Sequence, residues 1–163
     1  MRARLERRVD CEAPAAVVWD YVTDWPRQGE WVPMTRVERV DPPGGQDGPS
    51  GPDGLGGRIR AWTGLGPLGF WDPMTITAWE RDDGGGGRCE VLHRGRVVRG
   101  EAAFSVLARG PDACSFVWSE MLVLPGGRLG ALGFRLARPV LERLLDGALR
   151  AMRLRVETRP RAA

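Results

Sequence analysis

The sequence contains no lysine and no asparagine, and it has one histidine, one tyrosine and three cysteines in 163 residues. Each shortage removes a class of protein. Cys11, Cys89 and Cys114 stand apart in apolar segments without a CxxC pair, and His93 is the single histidine. A zinc cluster and a disulfide scaffold are therefore both excluded, and neither a metal nor a cofactor is expected. The cysteines read as buried, reduced thiols that pack as small hydrophobes, which suits a cytoplasmic location. No apolar run approaches the ~20 residues of a membrane span, so no stable membrane insertion is expected. The segment from Met1 to Arg8 carries four arginines with no apolar stretch behind them, and it does not read as a secretory signal. With 42% hydrophobic and 28% charged residues the chain is not disordered either.

What is present fits one domain. A 17.9 kDa chain hides roughly 68–70% of its unfolded surface and holds a core without staples. We assign 1–157 to a single ligand-binding domain and 158–163 to a tail. All 24 basic residues are arginine. Because glycine and proline are high as well, this reads as the imprint of a GC-rich genome, and nucleic acid is not an expected partner. The charge is uneven. From Arg128 onward nine arginines face only Glu142, Asp146 and Glu157, whereas 1–127 carries a surplus of acids.

Periodicity orders the chain as strand, two short helices, six strands, long helix. Residues 4–11 alternate as a strand. Pro14 suits a first helical turn, and Val17 to Thr23 follow at helical spacing until Asp24-Trp25-Pro26 breaks the helix. Arg27 to Trp31 is long enough only for a short second helix. Strands are expected at Thr35–Val40, Arg58–Trp62, Phe70–Glu80, Arg88–Arg94, Arg96–Leu107 and Cys114–Leu124, joined by glycine turns as antiparallel neighbours. The Pro/Gly-rich segment 41–57 reads as a lengthened, mobile hairpin connection. Leu132, Leu136, Val140, Leu141, Leu144, Leu145, Ala148, Leu149 and Met152 recur at three and four residues. They make the apolar stripe of a long amphipathic helix, with Pro139 as its kink or starting point. The fold class is α+β. One helix covers a stripe ~10 Å wide, whereas seven strands span ~30 Å, so the sheet must curl around the helix and leave a cavity.

That order resembles the SRPBCC superfamily, the START-like helix-grip fold of the birch pollen allergen, and within it polyketide cyclase/dehydrase proteins. The run Ala13–Trp25 (APAAVVWDYVTDW) carries the resemblance, with Gly56-Gly57-Arg58-Ile59, Asp72–Glu80 (DPMTITAWE), Phe116–Glu120 (FVWSE) and Arg138-Pro139-Val140. It implies a curved antiparallel sheet of about seven strands gripping one long C-terminal helix around a cavity. In this superfamily the cavity holds lipids, sterols, hormones or polyketides. No catalytic motif transfers residue by residue.

Seven tryptophans against one tyrosine suggest either a wall for a flat, greasy ligand or large side chains that simply fill the cup. As ligand-binding residues we select Trp19, Tyr21, Trp31, Trp62, Phe70, Met74, Phe104, Trp118, Leu141 and Leu145, with Trp25 and Trp31 near the entrance. His93 shares parity with Cys89 and Val91, Asp72 with Met74 and Ile76, and Glu120 with Phe116 and Trp118. The three are the acid–base candidates for the cavity. Against this, Asp72 precedes a proline and His93 lies beside the Gly95 turn, which favours a solvent position for the imidazole. The glycine-rich stretch from Trp62 to Phe70 reads as a hairpin loop whose Leu65, Leu68 and Phe70 close over the mouth. The expected function is binding of a small hydrophobic or aromatic molecule by a monomer or homodimer. The alternatives are a polyketide cyclase or dehydratase using Asp72, His93 or Glu120, and a macromolecule-binding adaptor acting through the basic C-terminal helix.

Overall fold

Alternating apolar and charged residues give β1 (Arg2–Cys11), in which Leu5 and Cys11 point into the core, Arg2, Arg4 and Arg8 point out, and Arg7 takes the inner parity and pairs with Glu142 and Asp146. The computed structural model describes residues 1–40 and 54–158. Most of the 41–57 connection expected to be mobile thus lies outside the described residues. Its last residues are tied to the sheet, because Gly56 N–H donates to Ile76 O and Ile76 N–H donates to Gly57 O. After β1, the Pro14 carbonyl accepts from Val17 and Val18 and opens α1 (Ala15–Val22). The Thr23 hydroxyl closes that helix onto Trp19 O. A 3-10 helix (Trp25–Glu30) follows, with Pro26 in its first turn.

The rest is sheet and one helix. The strands are β2 (Thr35–Arg39), β3 (Arg58–Leu65), β4 (Leu68–Arg81), β5 (Gly87–Arg94), β6 (Arg99–Gly110) and β7 (Ala113–Val123). All neighbours are antiparallel in the order β1-β7-β6-β5-β4-β3-β2. This is the seven-stranded helix-grip arrangement expected. Cys11 and Cys114 face each other across β1 and β7, both free and buried. The core cluster joins α1, Trp25, Trp31, the inner face of the sheet and the end of the last helix.

Two elements differ from the sequence reading. The stretch from Trp62 to Phe70 is strand almost throughout, because Thr63 to Leu65 pair with Phe70 to Leu68 and only Gly66-Pro67 turns. Leu65 and Leu68 stand exposed on this rigid hairpin, 68% and 80% accessible. The last helix, α2 (Gly127–Glu157), contains Pro139 in its interior and buries Ala148, Leu149, Met152 and Val156 toward its C-terminal end, while Glu142 and Asp146 at its middle pair with Arg7 of β1. Leu132, Leu136 and Val140 remain exposed. The reason is length. Thirty-one helical residues span about 46 Å, whereas the ten residues of β1, the edge strand beside α2, span about 33 Å.

Candidate ligand cavity and its acid–base cluster

Between the concave face of the sheet and α2 lies a cavity of about 300 Å³. Of the residues selected from sequence, Met74, Phe104, Trp118, Leu141 and Leu145 line it. Trp19, Tyr21 and Trp31 do not. Trp19 and Tyr21 are packed in the solid core. Trp31 stands behind the wall, with its ring against Phe104, Phe116 and Trp118. Trp62 lies on the opposite face of the sheet. Ile59 and Ala61 take the inward positions of β3, so Trp62 meets Trp71 outside, ring centroids 5.5 Å apart. The Arg60 guanidinium covers Trp71 there at 4.3 Å. Phe70 has the inward parity but sits two residues beyond Asp72 toward the hairpin tip, outside the lining.

Sequence reasoning placed Trp25 only near the entrance. It is a buried lining residue, and its indole N–H has no hydrogen-bond partner among the described residues. The signal was there: a tryptophan just before a proline, opening a short helix next to the cup. Ile59, Cys89, Val91 and Leu144 complete the apolar wall.

One end of this wall is polar, because Asp72, His93 and Glu120 meet there. His93 Nδ1 is 2.6 Å from Asp72 Oδ2, and Nε2 is 3.4 Å from Glu120 Oε2. The second distance allows charge attraction without hydrogen-bond geometry. The three side chains are 7–15% exposed. The solvent position favoured for His93 is therefore corrected. His93 is paired in the ladder between Met74 and Gly100, which fixes its side chain inward even one residue from the turn. Asp72, two residues from Met74, is its diagonal neighbour on β4.

Glu120 is two strands away, on β7, and reaches His93 across β6. The β6 positions beneath that span are Gly100, opposite His93, and Ala102, opposite Glu120. Their small size lets the two side chains meet. Gly100 holds φ +136°, and a Cβ there would lie 1.9 Å from Met121 O, so the position admits only glycine without distortion. On the other side, a Cβ on Gly95 would come within 2.8 Å of Asp72 Oδ1.

Burial alone would depress the His93 pKa. Its contacts with Asp72 and Glu120, and their charges, outweigh burial and raise it to about 9. The imidazole is thus held as a cation at neutral pH, its Nδ1–H donating to Asp72. Trp118 Nε1–H donates to Glu120 Oε1 at 2.8 Å and fixes that carboxylate. Asp72 Oδ1 is buried with no hydrogen-bond partner among the described residues. Such a cluster can hold a hydroxyl or carbonyl of a bound molecule and exchange a proton with it. Among the described residues no group of histidine, cysteine and acidic side chains is arranged to hold a metal ion, and no helix is long and apolar enough to cross a membrane.

Comparison with solved structures places the chain among helix-grip proteins. The Zhui aromatase/cyclase of Streptomyces sp. R1128 is similar at 18% identity and TM-score 0.71, over 99% of this chain and 98% of that one. A START superfamily protein of Mycobacterium smegmatis matches at 14% identity and TM-score 0.66, over 94% and 97%. A truncated norcoclaurine synthase of Thalictrum flavum matches at 15% identity and TM-score 0.62, over 98% and 96%. No curated protein matches the sequence. At these identities the likeness carries the fold alone. The sequence itself matches the family described as polyketide cyclase / dehydrase and lipid transport over residues 2–157, and with nearly the whole chain inside that match the protein belongs to this family.

Proposed function

We propose that the protein binds a small hydrophobic or aromatic molecule in the cavity, with the molecule's polar group turned toward Asp72, His93 and Glu120. The observation that carries this reading is the division of the cavity. Its walls are aliphatic and aromatic, and its charged groups are gathered at one end. A flat ligand gains from burial along the walls and is oriented by the polar end. The test is titration with 2-naphthol, followed by tryptophan fluorescence, since Trp25 and Trp118 are in the wall. Saturable quenching is expected, and it should be lost in Leu145→Trp, which fills the space. No saturable change in the unsubstituted protein overturns the reading.

A second reading is favoured by one observation, the unpartnered Asp72 Oδ1 beside a charged imidazole. In a cyclase or dehydratase acting on a polyketide-like β-hydroxy ketone, a carboxylate of the cluster takes the proton α to the carbonyl. The His93 imidazolium gives its proton to the departing hydroxyl, which leaves as water. The new carboxylic acid returns its proton to the imidazole, and the cluster is restored. Loss of turnover in Asp72→Asn and His93→Gln well beyond any loss of 2-naphthol affinity distinguishes this reading from binding alone.

A further inference from the structure

We propose that the cavity selects molecules whose polar group donates hydrogen bonds, such as phenols, enols, alcohols or protonated amines, and rejects carboxylates of the same shape. This rests on the ligand-binding reading above and adds the chemical class of the ligand.

The chain has 24 arginines, yet no arginine is among the residues that line the cavity. Its charged lining groups are two carboxylates and one imidazole. Two acids share one base there, so the cluster carries an excess of acidic groups.

The donors of the cluster mostly face its own acids. His93 Nδ1–H is committed to Asp72 and Nε2 faces Glu120. Trp118 Nε1–H is committed to Glu120. The Gln28 amide donates to Val22 O and the Thr35 hydroxyl to Pro33 O. Two buried polar atoms of the cluster have no hydrogen-bond partner among the described residues, the acceptor Asp72 Oδ1 and His93 Nε2, and Nε2 already lies against the Glu120 carboxylate. A ligand O–H or N–H satisfies Asp72 Oδ1, and a cationic ligand also balances the excess of acidic groups. A ligand carboxylate would be a third acid in a site of low dielectric whose one imidazole already stands between two acids. The Trp25 N–H, without a partner among the described residues, and the Thr63 hydroxyl in the lining are neutral donors. They suit a carbonyl elsewhere on the ligand and do not offset an anion.

The experiment compares four probes of one framework at neutral pH by calorimetry: 2-methylnaphthalene, 2-naphthol, 2-naphthylmethylamine and 2-naphthoate. 2-Naphthol and the amine should bind at least about tenfold more tightly than 2-naphthoate, and 2-naphthoate should bind more weakly than 2-methylnaphthalene. In Asp72→Asn the disadvantage of 2-naphthoate should shrink. Binding of 2-naphthoate as tight as that of 2-naphthol overturns this inference and leaves the cavity reading standing. Binding of none of the four overturns both. The comparison in the unsubstituted protein decides the matter even if Asp72→Asn does not fold.

Discussion

At the scale of single residues the site depends on one histidine held between two acids. The inward parity of Asp72, His93 and Glu120 was legible in the sequence, since each shares a strand face with apolar neighbours. What tipped the reading toward solvent was the turn at Gly95. The deciding fact is cross-strand and cannot be read along one strand: His93 pairs with Gly100, a residue that clears the way for Glu120. Two outcomes follow from this geometry. An NMR titration of the lone imidazole should give a pKa near 9, falling toward the ordinary value of about 6.5 in Asp72→Asn or Glu120→Gln. A midpoint near 6.5 in the unsubstituted protein would count against the cluster. Gly100→Ala should cost about 1–3 kcal/mol through its strained φ, seen as a melting temperature lower by several degrees. Any unchanged melting point would mean that β6 and β7 can separate there.

At the scale of elements, the sequence revealed which segments are helix and strand better than it revealed what covers them. The period of α2 was plain, but a hydrophobic stripe does not say how long its partner surface is. The N-terminal half of the helix outruns β1 and keeps Leu129, Leu132 and Leu136 in solvent. The hairpin from Trp62 to Phe70 was misread for a related reason. Glycine signals a turn or a strand pinched against its neighbour, and here most of the stretch is paired strand. Trp62 went outward because alternation alone does not say which parity of β3 is the inner one. The stripe sets up a contrast. Leu149→Asp and Met152→Asp, at 2% and 0% exposure, should leave the domain unfolded, because an unpaired buried carboxylate costs several kcal/mol. Leu136→Asp, at 73% exposure, should leave far-UV circular dichroism and the melting point nearly unchanged. Equal damage at all three positions would place the whole helix against protein surface.

For the molecule as a whole, the mismatch between one helix and seven strands was enough to foresee a cavity, because it depends only on widths. The wealth of tryptophan gave less. Only Trp25 and Trp118 line the cavity, and others fill core or decorate the outer face. The cavity's charged end should also mark the stability of the entire domain. The His93 pKa is raised in the folded state, so protonation of this residue stabilises the fold fully below about pH 6.5, the unfolded value. That contribution is lost as pH rises through about 9. Its size is on the order of 3 kcal/mol, or of order ten degrees in melting temperature for a domain of this length. The buried Cys89 thiol acts in the same direction at higher pH. Burial pushes Cys89 up to about 12, so its unfolded form ionises first and favours unfolding in alkali. The comparison must therefore be against His93→Gln, which keeps the thiols. Between pH 6.5 and 9 the melting temperature of the unsubstituted protein should fall steeply while that of His93→Gln stays nearly level. Two parallel curves would mean that the folded protein holds no extra proton on His93, and the acid–base cluster would lose its electrostatic basis.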